Sequence, residues 1–270
     1  MKLELTKHHG LGNDFLVAFD PPVDDPAALA RQLCDRRRGV GADGLLIVRP
    51  ADGYTARMTL HNADGSTAEM SGNGIRCFAQ AMAMRSESLE SQTILTDAGP
   101  RLVRLFATDR PDTIEASVDM GEVAAIGAPD GWDAIGCDPN RPVAHLSLGN
   151  PHTVVGVDDV AAVDLLSLGR QVPGTNLEIV EPGPEPHGIT MRVHERGAGI
   201  TEACGTGACA SAWAARAWGL VPASTREIVV HMDGGSAKVH IDEPNPGRVT
   251  LVGPSVFVGR IIVDIAQAGS

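Results

Sequence analysis

Aromatic residues are scarce: three Trp, one Tyr and five Phe, 3% of the 270 residues. The core must therefore be built from Leu, Val, Ile and Ala, and a hydrophobic content of 43% is enough for a sizeable one. Lysine is scarcer still, with only Lys2, Lys7 and Lys238. Pyridoxal phosphate needs a lysine for its Schiff base. Two of these lie near the terminus and the third in a strand-like "SAKVHID", away from any glycine-rich polar cluster, which argues against that cofactor. Positive charge is in deficit: the formal net charge is -12, which argues against nucleic acid and anionic membranes as partners. No run of 18 apolar residues is present, so no membrane-spanning helix is expected. The opening "MKLELTKHHGLGNDF" has no apolar h-region and does not read as a signal peptide. The cysteines are odd in number (Cys34, Cys77, Cys137, Cys204, Cys209) and form no Cys-x-x-Cys, so neither a disulfide framework nor a zinc knuckle is suggested. A reducing, cytoplasmic setting is the expectation.

What the chain does have is a repeat. "LGNDF" at 11–15 matches "LGNPH" at 148–152, and "GLLIVRP" at 44–50 matches "NLEIVEP" at 176–182. "MTLHNADG" at 58–65 matches "MRVHERGA" at 191–198, and "EMSGNG" at 69–74 matches "EACGTG" at 202–207. Four matches in order, at offsets of 132 to 137 residues, indicate a duplicated domain. Each half shows period-2 apolar runs such as "DTIEASVDM" and "REIVVHM", the mark of half-buried strands, and "DGGS" at 233–236 signals a hairpin. One helical pattern per half follows a glycine turn: Ile75, Phe78, Ala79 and Met82, then Ala208, Ala212 and Ala215, the second ending near Gly219. The expected fold is α+β: two pseudo-symmetric domains, each a strand-rich sheet or barrel wrapped around a central helix. "ATDRPDT" at 107–113 reads as the linker. The expected halves are 1–112 and 113–260, with a C-terminal strand at 261–270 returning to the first.

The two glycine turns carry the chemistry. A helix N-terminus presents free N–H groups and partial positive charge, a seat for a carboxylate. Gly72, Gly74, Gly205 and Gly207 let a backbone come close to a ligand. The same field would lower a thiol's pKa, so Cys204 is a candidate thiolate. A lone Gly-x-Gly before a helix is more often plain turn chemistry. The duplication shifts that balance, because it offers two such turns, with Ser71 and Cys204 at equivalent places. Two acid/base groups acting on opposite faces of one carbon suit a racemase or epimerase, with the helix ends stabilising the charge that develops on the substrate carboxylate.

The motifs "HGLGNDF", "RRGVGADGLLIV", "HNADGSTAEMSGNGIRC", "LGNPH", "ERGAGITEACGTGACA" and "VTLVGPSVFVGR" span nearly the whole chain. In them the sequence resembles the diaminopimelate epimerase family. That resemblance implies an isomerase that interconverts LL- and meso-diaminopimelate by two-base α-proton transfer, on the route to lysine and cell-wall precursors, without cofactor or metal. It also implies two α/β domains with the substrate in their cleft, a small-molecule partner only, and a cytoplasmic homodimer. Residue by residue, Cys204 matches one catalytic thiol and Ser71 stands where the other is expected. Gly72 with Asn73, and Gly205 with Thr206, match the turns that grip the reacting carboxylate. Asn13, Asn62, Asn150, Asn176, Glu195 and Arg196 match substrate-binding positions, and His152 and Glu195 the groups that tune the thiols. Gly44 departs from members with a polar side chain there.

Several of these residues have independent readings. Arg196 in "HERGAG" suits a bidentate grip on a distal carboxylate, although most arginines are simply exposed. Glu195 either polarises a thiol or salt-bridges Arg196. A lone His such as His152 is usually structural, and only the matched LGN blocks raise it. His8 and His9 have no ligand spacing. Cys34, Cys77, Cys137 and Cys209 read as small buried hydrophobes, and the arginines of "DRRRGVGADG" as a solvated helix end. A serine is a far weaker acid than a thiol. Ser71 therefore leaves open an epimerase whose Cys was exchanged, a natural member using Ser, a related racemase or one-base eliminating enzyme, and a non-catalytic diaminopimelate binder.

Overall fold

The same order of elements runs through the chain twice. The computed structural model describes residues 1–242 and 247–265. They form two units, Met1–Val118 with Pro254 onward, and Asp119–Gly253. The chain passes from one to the other inside strand β8 (Thr113–Glu122) and back inside strand β17 (Arg248–Asp264).

In the first unit, β1 (Lys2–Gly10) and β2 (Asn13–Phe19) form a hairpin. Helix α1 (Pro26–Cys34) then crosses to β3 (Gly44–Arg49), which lies parallel to β2. Asp25 caps this helix and Pro26 opens it, two start signals with the right geometry. β4 (Ala56–Asn62) folds back on β3. The short β5 (Thr67–Ala68) pairs with β4 and leads into α2 (Gly72–Ser86). β6 (Gln92–Thr96) returns parallel to β4, followed by β7 (Gly99–Ala107) and β8 (Thr113–Glu122) as a meander. Residues 108–112 make the tight β7–β8 turn, with the Thr108 hydroxyl donating to the carbonyls of Arg110 and Thr113. The later part of β17 (Arg248–Asp264) pairs with β1. On its other side β17 joins β8, where the Phe257 N–H donates to the Asp112 carbonyl at 2.7 Å, and this closes the strands into a barrel. Residues 261–264 belong to this strand; 266–270 lie outside the described residues.

The second unit repeats the pattern. β9 (Ala124–Ala125) pairs with β10 (Val143–Ser147), which forms a hairpin with β11 (Pro151–Gly156). α3 (Leu165–Gly169) crosses to β12 (Asn176–Pro182), parallel to β11, and β13 (Gly188–Glu195) folds back on it. The short β14 (Gly199–Thr201) precedes α4 (Gly205–Trp218). β15 (Glu227–Met232) lies parallel to β13, and β16 (Gly235–Ile241) and β17 complete the meander. This is the α+β architecture expected from the repeat.

Each long helix is the axis of its unit. α2 packs on β1, β2, β3, β4 and β7, and α4 on β10, β11, β12, β13, β15 and β16. Both are buried on nearly every side, and the polar stripe of α2, Asn73, Arg76 and Gln80, is enclosed with the rest. α4 fits because its core side is mostly alanine. The parallel strands β3 and β12 are buried through their first five residues and are correspondingly apolar. The exceptions are Asn176 and Glu178 in β12, both buried, Glu178 fully. No helix among the described residues is long and apolar enough to cross a membrane.

Phe78 of α2 is fully buried and Phe106 of β7 is 48% exposed. Phe78→Ala should lower unfolding stability by ~3–5 kcal/mol, and Phe106→Ala by far less. Urea denaturation of the two variants checks this; equal losses would contradict the central-helix packing.

Candidate active site

A helix that begins inside a barrel has N–H groups that water cannot reach, and they need partners. Ser71 and Cys204 supply them. Each is the N-cap of its helix in extended backbone conformation. The Ser71 Oγ accepts from the Gly74 N–H at 3.0 Å, and the Cys204 Sγ from the Gly207 N–H at 3.4 Å. The equivalence read from the repeat is thus geometric as well. The third residue of each turn is closely enclosed. A Cβ at Gly74 would lie 3.2 Å from the Ser71 Oγ, and one at Gly207 only 2.6 Å from a Glu178 carboxylate oxygen. The cap and the strand beneath occupy that space.

In the first unit a ladder of polar groups holds the turn. Arg36 reaches Asp14 with both terminal nitrogens and also Asp43, at 2.7–3.2 Å. It is therefore a brace, whereas Arg37 and Arg38 are the solvated helix end expected of the whole run. Asp43 accepts from the Asn13 amide at 2.8 Å, and the Asn13 carbonyl oxygen accepts from Asn73 at 3.2 Å. Asn73 in turn accepts from Arg76 at 2.8 Å, a guanidinium wholly buried in α2. Asn62 lies in the β4–β5 turn, donating to the Ser66 hydroxyl at 3.0 Å. Gly44 sits where a Cβ would come 2.9 Å from the His61 carbonyl, so a side chain there would require the strand to shift. His8 is buried and neutral, its pKa lowered to about 4 mainly by desolvation, and it bonds Gln80 at 2.9 Å.

In the second unit a denser cluster surrounds the turn. Cys204 is 4% exposed and lies 3.5 Å from the Thr206 hydroxyl. Asn150 donates to Thr206 at 3.2 Å and faces His152 Nε2 at 3.1 Å. His152 Nδ1 meets Glu178 Oε1 at 2.7 Å, and both residues are fully buried. Asn176 is committed to the scaffold: it donates to the Pro151 carbonyl and accepts from the Arg196 N–H, each at 2.9 Å. Glu195 accepts from the Thr201 hydroxyl at 2.6 Å, and the half-buried Arg196 follows it at the end of β13. Among the described residues no group of three His, Cys, Asp or Glu side chains gathers as a cation site.

The electrostatics correct one expectation. The helix N-terminus was expected to favour the Cys204 thiolate. Burial instead pushes this thiol well up, and the Glu195 and Glu178 carboxylates push in the same direction. The Thr206 hydroxyl and Gly207 N–H oppose them and lose. Desolvation of a charge outweighs one turn of helix dipole. Glu178 is likewise raised by its burial, with His152 opposing. Cys34 and Cys77, raised to about 12 and about 11 chiefly by burial, are the inert core thiols expected. Cys137 is only half-buried, packed with Trp132 and Ile135 at the edge of an apolar cluster.

The comparisons with known proteins bear on this arrangement. The model of the diaminopimelate epimerase family matches residues 5–126 and 145–258. The chain belongs to the diaminopimelate epimerase family. A diaminopimelate epimerase of Halothermothrix orenii is 37% identical, over 97% of this chain and 99% of its own. One of Desulfitobacterium hafniense is 38% identical, over 95% and 96%. A predicted epimerase from Pseudomonas aeruginosa shares the fold at a TM-score of 0.77 and 15% identity, covering 98% of this chain and 100% of that one. Membership in this family agrees with the doubled α+β architecture.

Glu178 is the polar residue that motif reading passed over. The signal was present: it is the one charge in the apolar core of "NLEIV", where the first half has Leu46. Such a residue seldom survives burial without a partner or a task.

With its thiol raised and buried, Cys204 should react slowly with iodoacetamide near neutral pH, and faster only well into the alkaline range. Cys137 should be labelled first. Mass mapping of a time course tests the order, and early labelling of Cys204 would contradict the burial and charge described here.

Proposed function

We propose that this family member is an epimerase of diaminopimelate that moves the α-proton with protein side chains alone, using Cys204 and the Ser71 position as its two proton-transfer sites. The observation that carries the reading is the pair of matched caps: in each unit the residue that accepts the N–H of the third helical residue stands where the family resemblance expects a proton-transfer group. The helix N-termini would hold the α-carboxylate and stabilise charge that builds on it. Arg196 suits the distal carboxylate. The amides of Asn13, Asn73, Asn150 and Asn176 are braced by neighbours, which fixes the groups a substrate would meet. Family resemblance supports the remaining particulars: no cofactor, a cytoplasmic setting and a homodimer.

One observation favours a second, one-base reading. The Ser71 hydroxyl accepts the Gly74 N–H, and a Leu46 methyl lies 3.4 Å from where a Gly74 Cβ would stand. The methyl stands where the other half has the Glu178 carboxylate, so this turn lacks the counterpart of that acid. Chemistry on that face should then be impaired while binding survives, because serine is nearly isosteric with cysteine.

Solvent deuterium incorporation, followed by NMR from LL- and meso-diaminopimelate separately, tests this. One isomer should exchange much faster than the other, with slow net interconversion. Ser71→Cys should raise the net rate by ~10²–10⁴-fold, the usual worth of a well-placed general acid–base. Interconversion already as fast as in Ser71→Cys would remove the one-base reading, and no binding of either isomer would remove the substrate assignment. Arg196→Lys should weaken binding by ~2–5 kcal/mol, since a point charge cannot reproduce the guanidinium fork. Calorimetry measures it; unchanged affinity would take Arg196 out of the site.

A further inference from the structure

Beneath their matched turns the two units differ. Strand register makes the comparison residue by residue. Phe15 of β2 lies opposite Gly44 of β3, with Leu46 two residues on. His152 of β11 lies opposite Asn176 of β12, with Glu178 two residues on. Each second residue comes up against the third position of its helix turn: Leu46 Cδ2 at 3.4 Å from a Gly74 Cβ, Glu178 Oε1 at 2.6 Å from a Gly207 Cβ. The Ser71 turn thus meets hydrocarbon at Leu46. The Cys204 turn rests on a titratable pair.

Hydrogen bonding fixes how many protons that pair holds. Asn150 donates its amide to Thr206, which leaves its carbonyl oxygen toward His152 Nε2, so Nε2 donates. One proton then remains for the 2.7 Å contact between His152 Nδ1 and Glu178 Oε1. The other carboxylate oxygen, Oε2, is buried with no hydrogen-bond partner, an arrangement a neutral carboxyl tolerates far better than a carboxylate. The Cys204 Sγ and Glu178 Oε1 both lie within 3.3 Å of the same point, the Cβ position of Gly207.

We propose that Glu178 is a positioning residue: by keeping this proton within the His152 pair it sets the charge beside Cys204, and so the pH range over which the sulfur exchanges a proton, a control the Ser71 half lacks. The inference rests on the reading that Cys204 moves the α-proton. While the proton stays, the pair is neutral overall, and transfer of the Cys204 proton to a substrate carbon leaves one negative charge, on sulfur. Once the pair loses its proton, a thiolate would be a second buried negative charge. The groups facing the sulfur are Glu178 of β12, Glu195 of β13, and the Thr206 hydroxyl and Gly207 N–H of α4. Those facing Glu178 are His152 of β11 and Glu195. Rising pH therefore ionises the pair and drives the thiol's own titration further up.

The test is the pH dependence of Cys204 alkylation by iodoacetamide, resolved by mass, in the full chain. Glu178→Gln keeps the shape and donates an N–H to His152 Nδ1 as the protonated carboxyl does, but it cannot ionise. Its Cys204 midpoint should fall by about one pH unit or more, with the other cysteines unmoved. An unmoved midpoint would mean that Glu178 only fills space, and would overturn the proposal. Should Glu178→Gln fail to fold, Glu178→Leu, which carries the side chain of the other half at this position, decides in the same assay: its Cys204 midpoint should fall likewise, and an unmoved midpoint overturns the proposal. Deuterium exchange in Cys204→Ala separates the two readings. If that variant exchanges at the wild-type rate, the reading of Cys204 fails. If it is inactive while Glu178→Gln leaves the midpoint unmoved, only the role of Glu178 fails.

Discussion

A helix enclosed by strands must begin inside the protein, and its first N–H groups must be satisfied there. Most of the site follows from this constraint. The cap has to be a small side chain with an acceptor atom, which admits serine and, with a longer bond, cysteine. The third residue is favoured as glycine, because the cap folds back over it. The strand beneath has to bring one side chain into contact with that glycine, and the identity of that side chain sets the polarity of the turn. Capping, close approach and the polarity of the turn are thus one arrangement seen at three scales.

Duplication then makes divergence legible. The two units share element order, parallel and antiparallel pairings, and the geometry of the helix start. Against that common frame a few exchanges stand out. Arg76 in α2, fully buried and bound to Asn73 and the Gly72 carbonyl, has Cys209 as its counterpart in α4. Leu46 faces one turn and Glu178 the other. The first unit supports its turn by a ladder that ends in exposed Arg36, the second by a closed cluster of Asn150, His152, Glu178 and Thr206. One framework therefore carries one helix start that meets a leucine and one that meets a titratable pair.

The charge at Cys204 illustrates which effect wins. The helix N-terminus offers one N–H and a share of the macrodipole. Against it stand full desolvation of the sulfur and two carboxylates. A buried anion loses far more solvation than one helix turn returns, so the resting sulfur is a thiol. A bound substrate that brings a proton acceptor, or excludes a carboxylate's influence, would change that balance during the reaction.

Read alone, the sequence determined the duplication, the α+β character of each half, the two central helices and the residues at their starts. These are carried by short contiguous patterns: a glycine turn, an apolar helix period, a strand alternation, and whole motifs shared with the diaminopimelate epimerase family. Only the tertiary structure decided what lies beneath those starts. Glu178 and Cys204 are 26 residues apart in the chain, and nothing local to either reports their approach at Gly207. The same holds for Arg36, which reads as a solvated helix end until Asp14 and Asp43 arrive from other strands. Local pattern could likewise assign the helix field to the Cys204 thiol, but not the burial that overrides it. Solvation depends on every element packed around a group, and that is settled only when strands distant in sequence come into register.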